Sequence, residues 1–374
     1  MCVARTRGSH ISLVSTTVGS FALLVSPSAN RVYARSAAAL TVAELGVLGD
    51  TVLAGRLGDV APEEIAGVDY VTFEGDLDEA GLAHVANVST ALALFERQPG
   101  REPGNEGTLR PVRLHRLDCL DDDLLTILKY QGKTNELFTK LLLNVTVLST
   151  GRADRVLTER LHILDPLCGR GTTLNQALMY GWHAAGVEVD ERDVDAYAAF
   201  LPRWLKEKRL KHIAGTSRLR RDGRTLGRRF EATLAVDKEA WAAGDTITVT
   251  MAQADTLETA AIHRAGSVDA IVTDAPYGVQ HGSRSGGALH RSPLDLLADA
   301  VPGWATVLRP GGAIGLAVNL RTSPRAETCR VLTDAGLEPL DTSAYRGFEH
   351  RVDQAIQRDV VVAVKRRDAA GDED

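Results

Sequence analysis

The chain has 374 residues, of which 44% are hydrophobic, so it is too long for one ordinary domain and can bury two cores. Its four cysteines are widely separated and form no Cys-x-x-Cys pair. This spacing indicates neither a disulfide framework nor a zinc knuckle, and it favours a reduced, cytoplasmic protein. No apolar run reaches the roughly 20 residues of a membrane-spanning helix. The formal net charge of -6, taken alone, argues against nucleic acid as a partner.

The charge is unevenly distributed along the chain. Residues 206–229 contain ten Lys or Arg against two acids, which gives this segment a net charge of +8. The remainder of the chain is therefore more acidic than its total charge indicates. A basic segment in an acidic chain predicts a local surface for a polyanion, so the overall sign does not exclude nucleic acid.

The first 128 residues predict a leader and a small α/β domain. Residues 1–17 have the pattern of a disordered leader, and residues 21–25 are predicted as the first core strand. The segments "ARSAAALTVAELGVLG" and "LAHVANVSTALALFER" predict helices, the second running into a strand, and "YVTFEG" between them predicts another strand. Residues 97–111 are rich in Pro, Gly and Glu and predict an exposed loop. Residues 18–128 are thus expected to form an accessory domain.

Residues 129–368 predict a second domain, followed by an acidic tail over residues 369–374. A helix that Thr134 is placed to cap precedes the strand "LHILD". Further strands, "HAAGVEVD", "TITVTMAQAD", "VDAIVTD" and "GAIGLAVNL", follow with helices between them. This alternation predicts parallel crossovers and an α/β fold with a doubly wound, Rossmann-like sheet. In such sheets the ligand lies across the carboxyl ends of the strands.

A loop with two glycines follows the first of these strands. It has the sequence "DPLCGRGTT" and leads into a helix, so its backbone can approach a ligand closely while the helix N-terminus faces an anionic group. It lacks the third glycine of a dinucleotide-binding loop, which favours a smaller ligand with a single carboxylate. The candidate binding residues in this loop are Asp165, Pro166, Cys168, Gly169, Gly171 and Thr172.

Acids near the next two strand ends extend this candidate site. Glu188 lies 23 residues after Asp165, where an acid commonly accepts hydrogen bonds from both hydroxyls of a ribose, and Asp190 is the competing residue. Asp255 can accept a hydrogen bond from an adenine amine, while the Thr256 backbone N–H donates to the ring. A ribose, an adenine and a carboxylate together describe S-adenosylmethionine, which the sequence therefore predicts as the cofactor.

The segments "ILDPLCGRGTTL", "VEVD" and "TDAPYG", in this order, resemble the class I S-adenosylmethionine methyltransferases that act on exocyclic amines. The resemblance is closest to the tRNA guanine-N2 methyltransferases often joined to THUMP domains, and it covers roughly residues 129–365. It implies that Thr134 lies near the methionine end of the cofactor and that the C-terminal segment forms a closing antiparallel hairpin. The N-terminal domain is short for a ferredoxin-like unit plus a complete THUMP domain.

The turn Asp274-Ala275-Pro276-Tyr277 is the candidate catalytic segment. The Asp274 carboxylate and the Ala275 carbonyl are expected to accept hydrogen bonds from an amine and to direct its lone pair toward the methyl group. Pro276 fixes the turn, and Tyr277 offers a face on which an extruded base stacks. The family pattern usually has two prolines in this turn, and Ala275 replaces the first of them, a position expected to act through its carbonyl.

Two segments are candidates for contact with nucleic acid. Residues 206–245 form an insertion relative to the methyltransferase pattern, and its basic part, residues 206–229, offers Arg side chains to phosphates. The loop over residues 279–291 carries His and Arg side chains that can contact neighbouring nucleotides or simply form surface. The sequence indicates no metal site, no membrane partner and no particular protein partner.

These observations predict transfer of a methyl group from S-adenosylmethionine to guanine N2 in RNA, with tRNA ahead of ribosomal RNA. The alternative enzyme is an adenine-N6 methyltransferase acting on DNA or RNA, because the same turn serves both amines. The alternative outside enzymes is a nucleic-acid-binding protein that keeps the methyltransferase fold without turnover.

Overall fold

The computed structural model describes residues 17–28, 30–98, 107–127, 133–221, 223–277, 284–285, 288–289 and 292–367. Its α-helices are α1 (Arg31–Asp50), α2 (Glu79–Ala86), α3 (Asp123–Thr126), α4 (Glu136–Leu148), α5 (Thr172–Met179), α6 (Glu191–Glu207), α7 (Lys238–Ala242), α8 (Thr259–Ile262), α9 (Pro293–Val307) and α10 (Arg325–Asp334). Its strands are β1 (Thr17–Val25), β2 (Leu57–Ile65), β3 (Val68–Leu77), β4 (Ala91–Gln98), β5 (Thr108–Val112), β6 (His162–Asp165), β7 (His183–Glu188), β8 (His212–Arg221), β9 (Arg224–Leu234), β10 (Ile247–Gln253), β11 (Val268–Asp274), β12 (Arg284–Ser285), β13 (Ala288–Leu289), β14 (Leu308–Asn319), β15 (Glu338–Pro339), β16 (His350–Arg351) and β17 (Gln357–Val364).

The N-terminal part of the chain forms an antiparallel sheet in the order β2-β3-β1-β4-β5. Since α1 follows β1 and α2 follows β3, its first four strands have the βαββαβ topology of ferredoxin-like domains. Phe21 of β1 stacks on Phe73 of β3 with ring centroids 5.4 Å apart. The strand predicted at residues 21–25 is confirmed as part of β1. The sequence pattern does not predict β2, because "LGDVAPEEI" is poor in β-branched and aromatic residues.

The second sheet has the strand order β15-β17-β14-β11-β6-β7-β10-β9-β8, and β16 also pairs with β17. The four central pairings, from β14 to β10, are parallel. β17 runs antiparallel to β14, and at the other edge β9 runs antiparallel to β10. The predicted α/β fold with a doubly wound, Rossmann-like sheet is thus confirmed, with antiparallel strands at both edges.

The basic insertion is built around a hairpin, β8–β9, which continues the second sheet beyond β10. Phe230 of β9 is buried and meets the Tyr197 ring of α6 edge-on at 5.9 Å, so the hairpin is anchored to the core. Arg228 pairs with Gln253, the last residue of β10. Residues 218–221 and 223–227, together called the hairpin arm, therefore reach past the carboxyl end of β10, by about 15 Å at 3.3 Å per residue.

Helices cover both faces of the second sheet. The apolar core under α4, α5 and α6 continues into the N-terminal domain, whereas a separate cluster lies under α9 and α10. α4 packs directly on β14, because a Cβ added to Gly315 would lie 1.8 Å from Thr146 Oγ1. This close contact fixes the position of α4, whose N-terminal end reaches the candidate site described below.

A buried polar network also joins the two sheets. Glu44 of α1 is fully buried, and burial raises its pKa. Its carboxyl accepts hydrogen bonds from Asn144 Nδ2 of α4 at 2.7 Å and from Ser89 N at 3.0 Å. Asn144 Oδ1 in turn accepts one from the Tyr180 hydroxyl at 2.9 Å. Because buried polar groups are costly unless bonded, this network holds the N-terminal domain in one orientation on α4.

Two local predictions need correction. α4 is capped by Asn135, whose side chain accepts a hydrogen bond from Leu137 N at 2.9 Å, and not by Thr134. The stretch 97–111 is not a loop throughout, because β4 runs to Gln98 and β5 starts at Thr108, while residues 99–106 lie outside the described part of the chain.

The predicted leader and acidic tail lie almost entirely outside the described residues. Within the described residues, no helix combines the length and apolar character needed to cross a membrane.

Candidate active site

The parallel strands β10, β7, β6 and β11 all end at one edge of the second sheet. The strand order reverses at β6, because β7 lies on one side of it and β11 on the other. Open α/β sheets bind their ligands at such a position. The predicted acids Asp165, Glu188, Asp255 and Asp274 therefore lie on a common edge.

The two glycines of the loop between β6 and α5 are explained by different features of the structure. Gly169 and Gly171 have positive φ angles of 51° and 80°, a region that favours glycine. A Cβ on Gly171 would lie 2.5 Å from the Tyr197 ring, whereas a Cβ on Gly169 would meet no atom within 4 Å. Packing thus requires Gly171, while Gly169 borders open space in which a ligand can approach the backbone. Thr172 begins α5 directly after the loop.

Three predicted binding residues in this loop have buried side chains: Asp165, Pro166 and Cys168. Asp165 Oδ1 accepts hydrogen bonds from Thr273 Oγ1 at 2.7 Å and from Leu167 N at 3.1 Å. Burial raises the pKa of Asp165 to about 6, and it raises the pKa of the Cys168 thiol above its ordinary value. These side chains support the loop from the protein interior.

Glu188 and Asp190, the two competing ribose-binding candidates, have different environments. The Glu188 carboxylate accepts a hydrogen bond from Gly169 N at 2.9 Å on one oxygen and from Asp190 N at 2.8 Å on the other. Burial raises its pKa. Since a carboxylate offers about four acceptor positions, each oxygen keeps one for a ligand hydroxyl. Asp190 is exposed and caps α6 by accepting from Arg192 N at 2.8 Å. The geometry favours Glu188.

Asp255 and Thr256 follow β10 at the same edge. Asp255 is half-buried, and its carboxylate accepts a hydrogen bond from Leu257 N at 3.0 Å, which starts a 3-10 turn. The Thr256 side chain is buried and accepts a hydrogen bond from Trp304 Nε1 at 3.1 Å. The structure thus fixes this turn firmly against α9 and leaves the Asp255 carboxylate at its surface.

The turn after β11 presents Asp274 in a network of donors. Its Oδ2 accepts a hydrogen bond from Thr134 Oγ1 at 2.6 Å, and its Oδ1 accepts one from the Tyr277 hydroxyl. Burial and the Asp274 charge raise the pKa of Tyr277, so this hydroxyl stays protonated. Thr134 is thus a partner of the predicted catalytic acid. Its predicted place near the cofactor's methionine end stays a prediction.

Ala275 and Pro276 continue this turn. The Ala275 N–H donates to Ala317 O at 2.9 Å, which ties the turn to β14. The Ala275 side chain is buried, and no described residue donates a hydrogen bond to its carbonyl. Pro276 has no N–H, and its ring fixes its own φ and restricts the backbone of Ala275 before it. The carbonyl that sequence reasoning assigns to amine binding is therefore unoccupied by protein donors within the described chain.

Arg358 of β17 is the site residue that sequence reasoning missed. Its guanidinium lies 3.6 Å from Asp274 Oδ2 and is buried, although arginine is rarely buried without a partner. Its carbon Cζ lies 5.1 Å from the Tyr277 ring centroid. The sequence did contain a signal for this residue. Arg358 stands just before the apolar segment "VVVAV" of a strand that is covered on both faces, where a charged residue is unusual.

The loop predicted at residues 279–291 lies outside the described residues except for the short pair β12–β13. Among the described residues, no group of three or more His, Cys, Asp or Glu side chains is arranged to hold a metal ion.

Residues 157–312 match the protein family described as "RMKL-like, methyltransferase domain". The matched segment contains the glycine loop, Glu188, Asp255 and the Asp274 turn. A comparison with curated proteins found no match. The strand order, the loop geometry and the family match together make this part of the chain a class I methyltransferase domain, with S-adenosylmethionine as its cofactor.

Several solved methyltransferase structures have a distantly similar fold. A 1,6-didemethyltoxoflavin-N1-methyltransferase from Burkholderia thailandensis is 14% identical, with 74% of this chain and 96% of that chain covered and a TM-score of 0.38. A TehB-like methyltransferase from Corynebacterium glutamicum is 14% identical, with coverages of 58% and 86% and a TM-score of 0.32. A geranyl diphosphate C-methyltransferase from Streptomyces coelicolor is 16% identical, with coverages of 66% and 88% and a TM-score of 0.32. These low values carry no argument about substrate.

The residues at the sheet edge fit S-adenosylmethionine, which supplies a methyl group on a sulfonium centre. The open space at Gly169 gives a ligand access to the loop backbone. The Glu188 carboxylate keeps acceptor positions, as its predicted contact with ribose hydroxyls requires, and Asp255 follows the next strand end, where a contact with the adenine amine is predicted.

Proposed function

We propose that the protein transfers a methyl group from S-adenosylmethionine to the exocyclic amine of a base in RNA, specifically to guanine N2 in tRNA. The observation that carries the proposal is the Asp274 turn: it lies at the carboxyl edge of the sheet and offers the Asp274 carboxylate together with the Ala275 carbonyl, to which no described residue donates a hydrogen bond. The amine, the RNA and the choice of guanine have separate support.

The turn has the acceptors that an aromatic amine requires. Such a nitrogen is a weak nucleophile because its lone pair is delocalised into the ring, and accepting both of its N–H groups localises that pair. Thr134 and Arg358 lie against Asp274 Oδ2, whereas Tyr277 donates to Oδ1, so Oδ1 retains a position for a substrate N–H. The Ala275 carbonyl accepts the second N–H. Rate enhancement then comes from alignment and fixed electrostatics.

Tyr277 is proposed to hold the base that carries this amine. The Arg358 guanidinium lies against the ring, and the hydroxyl donates to Asp274, so the ring has a fixed orientation. Tyr277 is half-buried, which leaves part of its surface accessible to a flipped base. Stacking of a base on an aromatic side chain contributes about 1–3 kcal/mol.

The hairpin arm supports RNA as the substrate. Arg218, Arg220, Arg221 and Arg224 are exposed on it, and the arm reaches past the same carboxyl edge that carries Asp274. Arg228 pairs with Glu191 and Asp195 at the base of the hairpin, so the basic character is concentrated toward the tip. Exposed arginines next to an active-site edge suit the phosphates of a nucleic acid. Guanine and tRNA are proposed from the sequence resemblance.

The decisive experiment is nucleoside mass spectrometry after incubation of purified protein with isotopically labelled S-adenosylmethionine. Bulk tRNA, ribosomal RNA and double-stranded DNA from a strain lacking the gene are the substrates. We expect label in N2-methylguanosine from tRNA. Label in N6-methyladenosine would replace guanine by adenine, label in ribosomal RNA alone would replace tRNA, and no label in any nucleoside would contradict base methylation.

Calorimetry with S-adenosylmethionine separates cofactor binding from catalysis. Gly169→Asp places an acid and a strained backbone where the loop is open, so we expect its cofactor affinity to be lost. Asp274→Ala should bind the cofactor normally and transfer no methyl group. Binding undiminished in Gly169→Asp would contradict the assignment of the loop.

A further inference from the structure

Arg358 occupies a position that packing alone does not explain. Its side chain is 6% exposed, and its Nε has no hydrogen-bond partner among the described residues. A buried ion pair is often no more stabilising than apolar residues of the same size, and a buried unpaired donor adds a cost. The chain keeps this costly group directly behind the Asp274 turn.

Two aromatic rings hold the guanidinium in place. Its Cζ lies 4.3 Å from the centroid of the Phe138 ring on α4 and 5.1 Å from that of Tyr277. A guanidinium is planar and can pack on ring faces while it attracts a carboxylate, which an ammonium group cannot do equally well. Arg358 thus connects α4, the catalytic turn and β17 through one side chain.

The neighbouring titratable groups leave Arg358 as the cation of this cluster. The His350 ring lies 5.3 Å from the Phe138 ring and 6.4 Å from the Tyr33 ring. Burial lowers the pKa of His350 to about 4 and raises the pKa of Tyr33, so both are neutral at pH 7. Burial acts to lower the pKa of Arg358. The Asp274 charge and Tyr277 act in the opposite direction, and together they leave this pKa above its ordinary value.

We infer that Arg358 is a positioning residue for methyl transfer, which fixes the Asp274 carboxylate and the Tyr277 ring relative to each other through its ion pair and its ring contacts. It does not touch the substrate. It holds the acceptor for the amine and the platform for the base in one arrangement before the substrate arrives. This inference rests on the proposed function, because it assigns Asp274 and Tyr277 their roles in that reaction.

The kinetic test compares Arg358→Gln and Arg358→Lys with Arg325→Gln as a matched control. Arg325 also forms an ion pair with a buried acid, Asp359 at 2.8 Å, but it contacts neither Asp274 nor Tyr277. Transfer to tRNA is measured well below each variant's melting temperature. We expect Arg358→Gln to lose about 10²-fold in kcat, the effect of slight misalignment, with little change in the KM for S-adenosylmethionine. The retained charge of Arg358→Lys should restore part of kcat.

Equal kcat values for Arg358→Gln and Arg325→Gln would overturn the inference. A second measurement does not depend on activity. In protein labelled with 3-fluorotyrosine, the 19F NMR line of Tyr277, assigned with Tyr277→Phe, should shift in Arg358→Gln and stay in place in Arg325→Gln. An unchanged Tyr277 line overturns the inference whatever the kinetics. Wild-type protein that methylates no base, together with a shifted line, contradicts the proposed function instead.

Discussion

The Asp274 site and the hairpin arm use charge in opposite ways. At Asp274 the charges are few and are partly or fully buried. The Asp274 carboxylate contacts three side chains, those of Thr134, Tyr277 and Arg358. On the arm the arginines are exposed on both strands of a two-stranded ribbon that overhangs the sheet edge. Buried charges interact strongly because little solvent screens them, whereas exposed charges act through their number. A single substitution should therefore have a large effect on methyl transfer in the site and a small effect on RNA binding in the arm.

Asp274→Asn should have the largest effect. The amide keeps the side chain's size but removes the negative charge that faces Arg358. We expect kcat for methyl transfer to fall about 10³-fold, the upper range for losing one preorganised electrostatic contact in an active site. Calorimetry should show unchanged binding of S-adenosylmethionine. A kcat close to the wild-type value would contradict the role of Asp274 in the site.

Asp165→Asn should alter the pH dependence of stability. Burial raises the pKa of Asp165 from an ordinary 3.8 to about 6, so folding favours its protonated form. Its favourable contribution is complete below about pH 4 and is lost as pH rises through 6. At 1.36 kcal/mol per pH unit, this loss is about 3 kcal/mol.

Urea denaturation of wild type and Asp165→Asn across pH 4 to 7 measures this contribution. The asparagine cannot titrate, so the free energy of unfolding of the wild type should fall relative to the variant as pH rises. Other titrating groups are common to both proteins and cancel. A difference that stays constant with pH would show that Asp165 ionises in the folded protein as it does in the unfolded chain.

Thr134→Val removes one hydrogen bond from the site without changing its size. The lost donor is the hydroxyl 2.6 Å from Asp274 Oδ2. Because a hydrogen bond to a charged group contributes about 1.5–3 kcal/mol, we expect kcat to fall at least about tenfold. Thr134→Ser keeps the hydroxyl and should retain most activity. Equal activity of Val and Ser variants would show that Thr134 only shapes the turn.

The acids of the site could be predicted from sequence because parallel strands end on one edge. Asp165, Glu188, Asp255 and Asp274 follow from that rule, and the glycine loop follows from its position before a helix. Which acid faces a ligand could not be predicted in the same way. Glu188 and Asp190 are two residues apart, and only the folded loop shows that Asp190 caps α6.

Arg358 could not be predicted because its contact with Asp274 depends on where β17 enters the sheet. The two residues are far apart in sequence, and β17 lies beside β14 and not beside β11.

The hairpin formed by β8 and β9 was predictable in part. The dipeptide Asp222-Gly223 is a sequence signature of a two-residue hairpin turn. The many charged residues in this stretch indicated an exposed surface, and for this reason the sequence pattern did not predict its two strands.

Substitutions on the hairpin arm should have the smallest effect of those considered. Arg220→Gln with Arg224→Gln removes two exposed charges near the tip, and neither residue reaches the core. We expect the salt dependence of tRNA binding to fall by about one unit of log–log slope for each arginine that contacts a phosphate. Affinity at physiological salt should fall less than about tenfold, with kcat at saturating tRNA unchanged.

A matched control for the arm carries the same change in net charge elsewhere. Lys238→Gln with Arg330→Gln removes two exposed charges, on α7 and α10, away from the arm. Attraction that depends only on the net charge of the chain would weaken both double variants equally. A larger loss and a flatter salt dependence in the arm variant would show direct phosphate contact. Equal behaviour would remove the arm from the RNA-binding surface and leave the Asp274 edge without a defined route for the substrate.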